Sequence, residues 1–66
     1  MELIRMGDVV VLRSRGVEMT VERVVMDEET LIPNLVSCVW FGPDGALKRS
    51  TFKGHCLKVV RSYHED

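Results

Sequence analysis

The seven residues Leu35-Val36-Ser37-Cys38-Val39-Trp40-Phe41, closed by Gly42-Pro43-Asp44-Gly45, most constrain what this chain can fold into. β-Branched and aromatic residues dominate the run, and such side chains suit a pleated, half-buried surface. Pro43 presets φ, and Asp44-Gly45 suits the positive-φ positions of a tight reversal, so residues 42–45 read as a hairpin turn. The strand must then pair with Ala46–Phe52 coming back. Side chains alternate along a strand, which puts Val36, Cys38 and Trp40 on one face and Leu35, Ser37, Val39 and Phe41 on the other. The first set is expected in the core, with the Trp40 indole sealed inside and Phe41 on the outer face or at a rim.

The rest of the chain supplies partners for this hairpin. After a short lead-in and a Gly7-Asp8 turn, Val9–Arg13 reads as a first strand whose four apolar residues alternation alone does not place; if Val10 and Leu12 face the core, Val9 and Val11 face out or pack under a loop. Ser14-Arg15-Gly16 reads as a turn, with Gly16 expected to supply positive φ. Met19–Met26 reads as a second strand, half-buried through Met19 and Val21. Its alternation slips at Arg23-Val24-Val25, which signals a bulge or sharp bend. Asp27–Asn34 is the longest connection. Three adjacent acids open it, and Leu31 and Ile32 are oddly apolar for a loop. They are expected either to cap an open end of the core or to contact a partner. Lys53-Gly54-His55 reads as a single tight turn. Cys56–Arg61 is the fifth strand, with Leu57 and Val59 inward, and residues 62–66 form a polar tail expected to fray.

Five short strands with turns about every 8–12 residues point to an all-β barrel or sandwich. Sixty-six residues provide one domain, with a core at about 6–61 and too few strands for two sheets. The expected architecture is a small five-stranded antiparallel SH3-like barrel. A chain this short buries only ~60% of its unfolded surface, so a covering partner would help it. Two cysteines build no disulfide framework. The first residues carry no apolar signal segment, and no run approaches the ~18 apolar residues of a membrane span. A cytoplasmic location with reduced thiols is the expectation.

Signatures of chemistry are sparse. Cys38, His55, Cys56 and His64 are the possible metal ligands. Only His55 and Cys56 are close in sequence, and neighbours on a strand face opposite ways. The same geometry separates them as a nucleophile and base, and a Cys38 thiol in the core would be inert. Asp27, Glu28 and Glu29 read as a solvated acidic loop, and no glycine-rich loop opens a helix. No catalytic, cofactor-binding or metal-binding residue is expected.

The string Gly7-Asp8-Val9-Val10-x-Leu12-x-Ser14-x-Gly16, then Met19-Thr20-Val21, then Val36-x-Cys38-x-Trp40-Phe41, then Phe52 and Leu57, resembles the YodC-like family of small prokaryotic proteins of unknown function. The resemblance covers roughly residues 6 to 60. It implies a compact cytoplasmic β-protein and brings no catalytic or binding residue with it.

Two functional expectations remain. The first is a non-catalytic module acting through protein contacts or as a homo-oligomer, with Leu31, Ile32, Val39 and Phe41 as contact residues. It rests on a surplus of outward apolar side chains, Val9, Val11, Val39, Phe41 and Val60 among them. The alternative is weak nucleic-acid binding. The net charge is −1, yet residues 46–64 contain no acid and carry Lys48, Arg49, Lys53, Lys58 and Arg61. Such cations with exposed aromatics can track a single strand, although so few of them on a net negative chain would bind weakly.

Overall fold

A computed structural model of the chain describes residues 3–14 and 16–62. It contains β1 (Val9–Leu12), β2 (Met19–Met26), β3 (Pro33–Phe41), β4 (Leu47–Lys53), a 3-10 turn at Gly54–Cys56, and β5 (Leu57–Arg61). All pairings are antiparallel, in the single-sheet order β4-β3-β2-β1-β5. No described helix is long and apolar enough to cross a membrane.

The five strands are those expected, with their ends shifted by a residue or two. The larger shift is at β3, which begins at Pro33. A proline is tolerated as the first residue of a strand because its missing N–H costs little there. The expected closed barrel is not formed: among the described residues no ladder joins β4 to β5. Closure would require β4 to bury a stripe of its own. Only Phe52 of that strand is even half-buried, and its other six residues are exposed.

Bulges bend the sheet instead. Val21 pairs with Cys38 and Arg23 with Ser37, which leaves Glu22 as an extra residue at the slip in β2. Glu22 and Arg23 therefore both face water, and Val24 returns to the inner side. A second irregularity separates Val9 from Val10 opposite β5, where Val60 is the extra residue and is exposed.

The core consists of Ile4, Val10, Met19, Val21, Val36, Cys38 and Leu57, flanked by Leu12, Val24, Trp40, Phe52 and Val59. Met19 and Val21, and Leu57 and Val59, thus face inward as their alternation required, and Val10 and Leu12, which alternation alone could not place, face inward with them. Trp40 is not sealed: it is only half-buried. The pairing of β2 with β3 ends at Thr20 and Val39, so Trp40 lies one residue past the last pair. It packs against Phe52 of β4 instead, with ring centroids 6.4 Å apart and planes tilted by 44°. A pair of this kind contributes about 0.5–1.5 kcal/mol beyond its buried area.

The lead-in is more structured than its composition implies. Ile4 is buried, and so is the carboxylate of Asp8. That carboxylate accepts from the Arg5 backbone N–H at 3.0 Å and from the Ser62 hydroxyl at 2.8 Å. The Asp8 carbonyl accepts from the Val21 N–H at 2.8 Å, and the Gly7 N–H donates to the Val21 carbonyl at 2.9 Å. Asp8 therefore joins the lead-in, β2 and the end of β5. Ser62, expected to belong to a frayed tail, is held by this bond, while residues 63–66 lie outside the described residues. The positive φ expected at Gly16 is absent there and occurs at Gly7, at +92°.

The β2–β3 connection is a compact reversal. Asp27 Oδ1 accepts from the N–H groups of Glu29 (2.8 Å) and Thr30 (3.1 Å). These bonds, that from Thr30 foremost, hold the Asp27 carboxyl below its usual pKa. The Leu31 N–H donates to the Asp27 carbonyl at 2.8 Å, which places Leu31 in the left-handed region with φ +59°. A Cβ in that region costs about 1–2 kcal/mol, and Leu31 recovers little by burial because it is 68% exposed. Replacing Leu31 by Gly relieves this strain, so urea unfolding of Leu31→Gly is expected to show a gain of about 1 kcal/mol. A loss of stability would show that the Leu31 side chain packs against something.

Candidate functional site

The hairpin β3–β4 carries the most informative geometry. The Gly45 N–H donates to the Gly42 carbonyl at 2.9 Å, and the Gly42 N–H to the Ala46 carbonyl at 2.9 Å. With Gly45 at φ +80°, this is a type I turn followed by a left-handed residue. The Asp44 side chain steadies it by accepting from the Ala46 N–H at 3.2 Å. The ladder beyond is regular from Phe41–Leu47 to Leu35–Lys53.

That register determines which way each backbone group points. Hydrogen-bonded pairs recur at every second residue of an antiparallel ladder. Counting from the Gly42–Ala46 bond, Lys48, Ser50 and Phe52 bond to β3. Leu47, Arg49 and Thr51 turn their N–H and C=O groups outward, toward an edge that no described strand occupies, and Lys53 adds its N–H there while its carbonyl caps the 3-10 turn. The side chains of the same four residues share the outer face with Leu35, Ser37, Val39 and Phe41. The Ser37 and Thr51 hydroxyls lie 3.2 Å apart on that face.

The four expected contact residues do not form one patch. Val39 and Phe41 sit at the hairpin end of β3, where Phe41 (73% exposed) lies opposite Leu47 (55% exposed). Leu31 and Ile32 sit at the other end, about nine residues or ~30 Å of strand away. Both are exposed. Ile32 lines a cleft of about 260 Å³ with Ile4, Arg13, Pro33, Gly54, His55, Leu57 and Val59. Two of the lining residues are joined by the Arg13 Nε–H, which donates to the His55 carbonyl at 3.0 Å. Gly54 can have no side chain there, because a Cβ would lie 2.4 Å from the Pro33 carbonyl oxygen.

The five expected cations are divided. Lys48, Arg49 and Lys53 belong to β4, and Lys58 and Arg61 to β5, the two opposite edges of the sheet order. Arg49 is 3.1 Å from Glu22, and Arg61 pairs with Glu18. Leu47 is the exposed apolar neighbour of Phe41 that sequence reasoning did not single out. Counting the register back through the Gly42–Gly45 turn would have found it, because that turn places Leu47 directly across from Phe41.

Cys38 is fully buried on the inner face of β3, and burial pushes its thiol up to about 11. His55 and Cys56 occupy the 3-10 turn, where Cys56 is half-buried. Among the described residues no three His, Cys, Asp or Glu side chains converge. His64 lies outside the described residues. In the native protein at pH 8, a thiol reagent is expected to modify Cys56 and to reach Cys38 only after unfolding. Equal reaction rates at both thiols would contradict the burial of Cys38.

No curated protein and no solved structure matches this chain. Residues 5–57, most of its length, match the family described as an uncharacterized small protein (DUF2158). By that match the chain is a member of this uncharacterized small-protein family.

Proposed function

We propose that this protein is a non-catalytic module that works by protein–protein contact, with a different protein or with a second copy of itself. One observation carries the reading: β4 presents an edge that no described strand occupies, beside an exposed apolar pair, Phe41 and Leu47. Unpaired N–H and C=O groups along an edge are a template for another chain. Large apolar side chains at the same place supply area whose burial favours association.

The alternative is nucleic-acid binding through Lys48, Arg49, Lys53, Lys58 and Arg61. What favours protein contact is the separation of these cations onto opposite edges and the engagement of Arg49 and Arg61 by acids. A groove that follows a phosphate backbone needs its cations along one path. The same reading takes the sheet as an open relative of the SH3-like barrel, on the strength of its five antiparallel strands and the 3-10 turn before the last. It takes the family as the YodC-like one, and the setting as cytoplasmic, where Cys38 and Cys56 stay reduced.

The test compares the wild type with Phe41→Ser/Leu47→Ser. Both positions are exposed, so stability should change by no more than about 0.5 kcal/mol per site. The wild type is expected either to self-associate in light scattering or to retain nuclease-resistant protein partners from its source organism, and the variant to lose that association. A wild type that is strictly monomeric at high concentration and retains no protein would end the reading.

A further inference from the structure

We infer that the outer edge of β4 binds an extended peptide segment in which acidic and apolar residues alternate, added to the sheet as a sixth strand. This rests on the protein-contact reading above and names the partner's chemistry. The edge offers main-chain bonding at alternate positions, through the N–H and C=O groups of Leu47, Arg49 and Thr51 and the N–H of Lys53, all facing away from β3. An incoming strand that uses these groups has its own period of two. Its side chains then meet two different surfaces.

On the outer face the incoming residues lie beside Leu47, Arg49, Thr51 and Lys53. Two of those four are cations, and none is an acid. The acid that holds Arg49, Glu22, approaches it from β2 and leaves the edge side open. Carboxylates at these positions would lie against Arg49 and Lys53. On the inner face the incoming residues lie beside Lys48, Ser50 and Phe52, next to the half-buried pair of Phe52 and Trp40. That pair is the one part of the apolar cluster reaching toward the open edge, so apolar residues would extend the core across it.

The same charges argue against a second copy on this edge. Antiparallel pairing of β4 with itself would bring Lys48, Arg49 and Lys53 of both copies along one seam. Lysine on an edge strand is a common device against such self-pairing. An acidic strand turns the repulsion into attraction. β5 is the weaker edge for the purpose, being five residues long with a bulge, whereas β4 runs seven residues without a register shift.

The test uses the full chain and two blocked octapeptides, one alternating Glu and Val and one alternating Lys and Val. Fluorescence anisotropy is expected to show binding of the Glu-Val peptide only, weakening as salt rises. Binding should perturb Trp40 emission and slow amide exchange at Leu47, Arg49, Thr51 and Lys53. Arg49→Glu/Lys53→Glu should weaken it by roughly tenfold and gain binding of the Lys-Val peptide. This exchange of partners shows that a loss is not caused by misfolding. Equal binding of both peptides, or no binding of either, overturns the inference. So does protection of the four outward amides by protein concentration alone, which would make a second copy the occupant, or by an oligonucleotide. If the peptides fail while Phe41 and Leu47 still govern association, only the edge inference falls, and the protein-contact reading stands.

Discussion

A short chain can bury only so much, and here almost all of it is buried by four of the five strands. Val10, Met19, Val21, Val36, Cys38 and Leu57 come from β1, β2, β3 and β5, and β4 adds only a half-buried Phe52. β4 is thus held by its ladder to β3, a tight turn, one aromatic contact and two exposed polar ties, Arg49 to Glu22 and Thr51 to Ser37. Everything distinctive about the surface follows from this imbalance. The sheet stays open, Trp40 is left at the border of the core, and no described strand lies beside the seven-residue outer edge.

The other end of the molecule is tied by polar bonds rather than by apolar area. Burying a carboxylate is costly unless its oxygens are satisfied. Asp8 meets that requirement with a backbone donor from Arg5 and a hydroxyl from Ser62, residues far apart in sequence. The cost of removing one partner from such a group exceeds the net value of the bond itself. Asp8 therefore makes the lead-in and the end of β5 depend on each other, which a domain with a thin core needs.

Much of the fold was legible in the residues. The Gly42-Pro43-Asp44-Gly45 turn and the β3 alternation specify the hairpin because both are local. The broken alternation at Arg23-Val24-Val25 reported the Glu22 bulge for the same reason. The failures are non-local. Parity correctly put Trp40 on the inner face, but its burial depends on how far β2 runs beside it, and that ladder stops at Val39. Closure depends on whether β4 brings enough apolar surface. Asp8 looked like a turn residue because its partners come from both ends of the chain. The strained φ of Leu31 had no signal, since Gly or Asn is what that position favours. For the candidate site, exposure was legible but position was not. Phe41 is exposed as its face required, while the separation of Leu31 and Ile32 from it follows from the length of β3.

The open edge of β4 is the feature on which the functional reading depends, and amide hydrogen exchange on the free protein measures it directly. Lys48, Ser50 and Phe52, whose N–H groups bond to β3, should exchange slowly. Leu47, Arg49, Thr51 and Lys53 should exchange close to the rate of an unprotected chain, giving an alternation of fast and slow along one strand. Slow exchange at all seven residues would mean that something already covers the edge, and would contradict the open sheet.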